Sequence, residues 1–195
     1  LSRQVLDVFS RQEWERKKHK MVYESWIAAA KTEIAGGRSF DALWEIDNLK
    51  RAGKWKVTVL GNPSVIQTKR GNAVLFDGKD DGLFLDTNPL AGAHEFTVEV
   101  VFRPDPGGEK EQRFLHFQAN EAERVLIETR LVGNGGWFLD TFIKSGASER
   151  TLQSRTALHP LGEWYHAALV YDGREMRHYV DGVQEMSGTV SYVPM

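Results

Sequence analysis

GEWYHAALVYDGREMRHYVDGVQE, residues Gly162–Glu185, reads as two β-strands joined by a tight turn. Trp164, His166, Ala168 and Val170 alternate with Tyr165, Ala167, Leu169 and Tyr171, so both faces of the first strand suit burial or a lined groove. Asp172-Gly173 supplies a pair that tolerates positive φ, and Asp181-Gly182 closes the next strand in the same way.

Outward from this hairpin, period two persists back to Phe40. Strand-like runs fall at Lys56–Leu60, Val74–Phe76, Leu83–Leu85, Phe96–Arg103, Arg113–Gln118, Val125–Leu131 and Trp137–Ile143, besides Trp164–Tyr171 and Met176–Val180. Gly- and Asp-rich turns separate them, and no helical pattern intervenes. Many short strands in this arrangement predict a β-sandwich. Leu1–Lys31 differs: it lacks Gly and Pro, is rich in Glu, Lys, Arg and Ala, and ends before Gly36-Gly37. Leu1, Val5, Val8 and Phe9, then Met21, Val22, Trp26 and Ala29–Ala30, recur at helical spacing. The expected organisation is a helical segment and linker over residues 1–38 and an all-β domain over 39–195. The basic cluster Arg16, Lys17, Lys18 and Lys20 is balanced by Asp7, Glu13, Glu15 and Glu24 and reads as a solvated helix face. The apolar stripe beneath it must pack on the sandwich, on a second copy by self-association, or on another part of a parent protein.

At 195 residues there is room for one such domain with an ordinary core. A net charge of −2 gives no electrostatic case for nucleic acid or an anionic membrane, and no apolar run is long enough to span a bilayer. Cysteine is absent, which excludes disulfides, thiolate metal sites and cysteine nucleophiles. The six histidines, at 19, 94, 116, 159, 166 and 178, show no zinc-ligand spacing.

The W-x-H-x-A-L-x-Y-D-G and Y-V-D-G runs of the opening hairpin resemble those of the laminin-G-like, concanavalin-type jelly rolls. Gly71–Leu85 (GNAVLFDGKDDGLFL) and Phe96–Pro104 (FTVEVVFRP) resemble further segments of that family in the expected order. The resemblance implies a concanavalin-like jelly-roll β-sandwich. It also implies a carbohydrate-binding or adhesion module, with a sugar or a glycosylated or protein partner, inside a larger secreted, surface or periplasmic protein. Relatives continue past the position of Met195 with further strands, so a truncated C-terminus, or an edge closed by the N-terminal segment, is expected. Hydrolases of this fold carry a tight E-x-D-x-x-E cluster on one strand, which neither EFTVEVVF nor LIETRL reproduces. QRFLHF only superficially echoes the lyases of this architecture.

Alternation then sorts the side chains. Phe102, Leu115, Trp137 and Leu139 belong to the expected core. His116, Glu128, Arg130 and Asp140, with Phe138 and Phe142, fall on an outer sheet face. Polar groups interleaved with aromatic rings suit a sugar, whose hydroxyls need planar donors and acceptors and whose C–H face stacks on a ring. The same pattern also suits cross-strand charge pairing without a ligand. Were the chain an enzyme on polysaccharide, Glu99, Glu128 and Asp140 would supply its acid and base. Asp77, Asp80 and Asp81 crowd one Gly-flanked loop, where hard oxygens suit calcium and Asx-turns explain them equally well. No other cofactor is expected.

Overall fold

A computed structural model describes residues 42–133 and 135–195. The helical segment and linker expected over 1–38 lie outside the described residues. The strands are, in chain order, β1 (Arg51–Ala52), β2 (Trp55–Leu60), β3 (Ser64–Thr68), β4 (Gly71–Leu75), β5 (Gly82–Leu85), β6 (Phe96–Phe102), β7 (Glu111–Asn120), β8 (Glu123–Val132), β9 (Gly136–Ser145), β10 (Ser148–Gln153), β11 (His159–Pro160), β12 (Tyr165–Tyr171), β13 (Glu175–Val180) and β14 (Val183–Thr189). One sheet runs β10-β9-β8-β7, with β11 also pairing β9, and a second runs β14-β13-β12-β6. A three-stranded sheet, β1-β2-β5, and the β3-β4 hairpin complete the described residues. Every pairing is antiparallel.

The turn chemistry sets the second sheet. Asp172 Oδ1 accepts the N–H groups of Glu175 (2.8 Å) and Arg174 (3.1 Å), which fixes the β12–β13 turn. Those contacts, Glu175 first, together with Arg177 hold the Asp172 carboxyl down at about 2. Between β13 and β14, Val180 pairs with Val183 across Asp181 (φ 47°) and Gly182 (φ 77°), a two-residue primed turn.

Period two then builds the core. Tyr165, Ala167, Leu169 and Tyr171 of β12 and Met176 and Val180 of β13 meet Val125 and Ile127 of β8 and Trp137, Leu139 and Ile143 of β9. Trp137 is fully buried. Phe102 and Tyr165 stand edge-on to its ring at 5.2 and 5.0 Å, and its Nε1 donates to the Pro160 carbonyl at 3.1 Å. Trp137 and Leu139 meet the burial expected of them. Phe102 and Leu115, expected beside them, are only partly buried against the core, because β6 and β7 are the edges where the sandwich opens.

A polar cluster crosses the interior. His178 of β13 points inward, its Nδ1 3.0 Å from Thr141 Oγ1 and its Nε2 3.9 Å from Glu185 Oε2. Glu185 Oε1 lies 2.7 Å from His159 Nε2. Burial, with His159 adding and Glu185 opposing, pushes the His178 imidazole down to about 4 from its ordinary 6.5. A depressed histidine value means the unfolded chain takes the proton first. Stability present above the ordinary value is therefore lost as pH falls toward the folded one. The expected loss between about pH 6.5 and 4 is on the order of 3 kcal/mol, and His178→Gln should flatten that slope in urea titrations. Equal slopes for both proteins would contradict this account.

Candidate binding face

The registers lay the outer face of the first sheet out in rows. Gln153, Asp140, Glu128 and Arg113 form one row across β10, β9, β8 and β7. Phe138, Arg130 and Glu111 form the next, and Thr151, Phe142, Leu126 and His116 lie on the other side. All six side chains expected on this face are therefore brought together, opposite the inward Ile127, Leu139 and Ile143.

Arg130 is the hub. Its Nε lies 2.7 Å from Asp140 Oδ2, its Nη2 is 2.6 Å from Glu128 Oε1, and its Nη1 contacts Glu111. Arg113 Nε donates to the other Glu128 oxygen at 3.1 Å. Glu128 and Asp140 are each only 1% exposed, whereas the side chains of Arg130 and Arg113 are 25% and 51% exposed. Burial pushes both carboxyls above the ordinary range, against the pull of Arg130. The carboxylates form the floor, and the arginine side chains are what solvent meets.

Accessibility divides the expected ligand set. Phe138, next to Arg130 in its row, is buried and offers no free ring. Phe142 is half-buried, with the Arg124 guanidinium 6.0 Å from its ring centroid. His116 is exposed and accepts from Arg124 Nε at 3.2 Å. Desolvation, then the charges of Arg124 and Arg113, lower its pKa, which favours the neutral acceptor form.

Glu99 stands apart. It projects from the outer side of β6 in the second sheet, where its Oε2 lies 2.9 Å from His166 Nε2. Two sheets packed face to face keep it about 10 Å or more from Glu128 and Asp140, so the three carboxyls do not form one site.

Arg113 and Glu111 were not foreseen for this face. Strict alternation puts Arg113 with Leu115 on the core side, but the register shifts between Arg113 and Leu115, and the extra residue Phe114 reverses the facing.

The loop after β4 gathers Asp77, Asp80 and Asp81, whose carboxylate atoms lie within 4.8 Å of one another. Backbone groups already engage two of them. Asp77 Oδ1 accepts from Lys79, Asp80 and Asp81, and the oxygens of Asp81 accept from Asn62 (2.6 Å) and Asp77 (2.9 Å). The Lys79 N–H is the largest cause holding the Asp77 carboxyl below its usual range.

A family model for the concanavalin A-like lectin/glucanases superfamily matches residues 77–194, an interval that runs from this loop through β14. The chain belongs to that superfamily. The two opposed antiparallel sheets are the architecture expected of a concanavalin-like member. No curated protein matches the chain. Two solved structures are similar to this concanavalin-like domain. One is domain 4 of AbnA, an extracellular GH43 arabinanase from Geobacillus stearothermophilus, in complex with arabinotriose. It is 20% identical, with 72% of this chain and 70% of that chain covered and a TM-score of 0.49. The other is the carbohydrate-binding module CBM66 from Bacillus subtilis, 16% identical, with 75% and 83% covered and a TM-score of 0.42.

Proposed function

We propose that this concanavalin-like domain is a non-catalytic module that binds a neutral carbohydrate on the outer face of β7–β9, within a larger secreted or surface protein. The observation that carries this reading is the pair of part-exposed guanidiniums, Arg113 and Arg130, held in place by buried carboxylates beside the half-buried ring of Phe142. Fixed N–H edges donate to sugar hydroxyls, and the ring offers an apolar surface to sugar C–H groups. Glu111, Glu128 and Asp140 offset Arg113, Arg124 and Arg130, so the face carries no net charge to pull on uronate or sulfate groups. Glu128 and Asp140 thus act as positioning residues, with Arg130, Arg113, His116 and Phe142 meeting the ligand.

The polysaccharide-enzyme alternative draws on the raised pKa of Glu128 and Asp140, which suits a general acid. Both carboxylates are already clamped by guanidiniums, and Glu99 lies on the other sheet. Incubation with candidate polysaccharides should therefore give binding without new reducing ends. Sugar release that disappears in Glu128→Gln would replace this reading with the enzymatic one.

The module needs no cofactor on this reading, since turn-capping accounts for Asp77 and Asp81. Thermal unfolding should be the same with millimolar calcium as with a chelator. A calcium-dependent rise in Tm, abolished in Asp80→Asn, would instead assign a bound ion to this loop.

A further inference from the structure

Among the described residues, nothing closes the two main sheets on the side where β6 and β7 form their edges. A cleft of about 3300 Å³ opens there, and the core-facing Val98, Phe102, Leu115 and Phe117 line it from within. Its outer wall also carries exposed apolar side chains. Leu43, Leu60, Leu75, Phe76 and Phe84 line the cleft and are 39–56% exposed, with Phe84 the most exposed of them. Among the described residues β6 pairs only with β12 and β7 only with β8, so both strands bordering the cleft carry an unpaired backbone edge. Contiguous apolar surface between two bare edges is costly to leave in water and marks a binding surface.

We propose that the occupant of this cleft is the N-terminal segment of the same chain, residues 1–35, laid in by its apolar stripe. Four observations select it over other partners. The described chain begins inside the cleft, where Ala42 and Leu43 line the wall and the Trp44 ring packs 5.9 Å from Phe117 of β7. Whatever precedes Ala42 is delivered to the cleft mouth, at an effective concentration of about millimolar for a short tether. Chemistry matches too. The segment's sequence spaces Met21, Val22 and Trp26 at a helical period. Charge is complementary, because the lining carries nine carboxylates against six Lys or Arg, whereas residues 1–35 carry seven Lys or Arg against five Asp or Glu. Buried Trp44 Nε1, a donor without a partner among the described residues, would find an acceptor in the segment's backbone.

The absence of cysteine makes the test direct, because one introduced thiol is the only thiol in the molecule. Phe84→Cys in the full chain should react with a maleimide at least about tenfold more slowly than the same thiol in a chain that also carries Val22→Ser and Trp26→Ser. Protection should be independent of protein concentration. Equal labelling of the two proteins would overturn the proposal. Protection that grows with concentration would also overturn it, by assigning the cleft to a second copy. Leu60→Cys serves as the reporter if Phe84→Cys fails to fold, with folding checked by near-UV circular dichroism.

Discussion

Replacing Arg130 with alanine should destabilise the domain by about 3–5 kcal/mol at neutral pH, and acidification should remove much of that loss. Arg130 is the cation shared by Glu128 and Asp140, which are each only 1% exposed, and its removal leaves Arg113 alone to offset two buried carboxylates. Burial already holds both carboxyl pKa values above the ordinary range. A carboxyl raised in the fold binds its proton more tightly there than in the unfolded chain. Its contribution is therefore fully present below the unfolded value and is lost as pH rises through the folded one. Without Arg130 both folded values rise further, and the variant's deficit should be largest near pH 7 and shrink toward pH 4. Urea midpoints for both proteins at those two pH values decide it. An equal deficit at both would mean that lost packing of the arginine stem, rather than orphaned charge, explains the destabilisation.

Trp137→Ala should cost about 3–5 kcal/mol, with little dependence on pH. The ring is fully buried where the two sheets meet and touches Phe102, Tyr165 and His159 (4.8 Å). Tyr165 Oη also donates to the Pro160 carbonyl at 2.9 Å, so loss of the Trp137 N–H does not strand that acceptor, and the cavity dominates the cost. Leu115→Ala provides the contrast, with about 1 kcal/mol expected, because Leu115 is only partly buried against the core. Similar losses for the two would contradict that difference in burial.

The parts of the fold written in local chemistry were readable from the chain. Asp172-Gly173 and Asp181-Gly182 specify turns, and the Trp137–Ile143 alternation specifies which side of β9 is core. The edge strands were not readable. β10 (SERTLQ) buries only Leu152, and β14 (VQEMSGT) is irregular against β13, so neither carries a two-residue hydrophobic signal. The face was foreseen in membership but not in depth. Period two places Glu128, Arg130, Asp140, Phe138 and Phe142 together, yet it cannot say that Arg130 lies over the carboxylates or that Phe138 is covered. Arg113 was hidden by a single extra residue, Phe114, because a bulge reverses every facing beyond it.

The central claim is that the β7–β9 face binds sugar through its exposed guanidiniums and ring. Calorimetric titration of the full chain, and of Arg113→Ala and Phe142→Ala, with the polysaccharide retained most strongly in an affinity screen tests it most directly. Both side chains are part-exposed, so each variant should keep its Tm to within a few degrees. Each should lose about 2 kcal/mol or more of binding free energy, roughly thirty-fold in affinity. Binding unchanged in both folded variants, or no neutral glycan bound by the full chain at millimolar concentration, would contradict the claim.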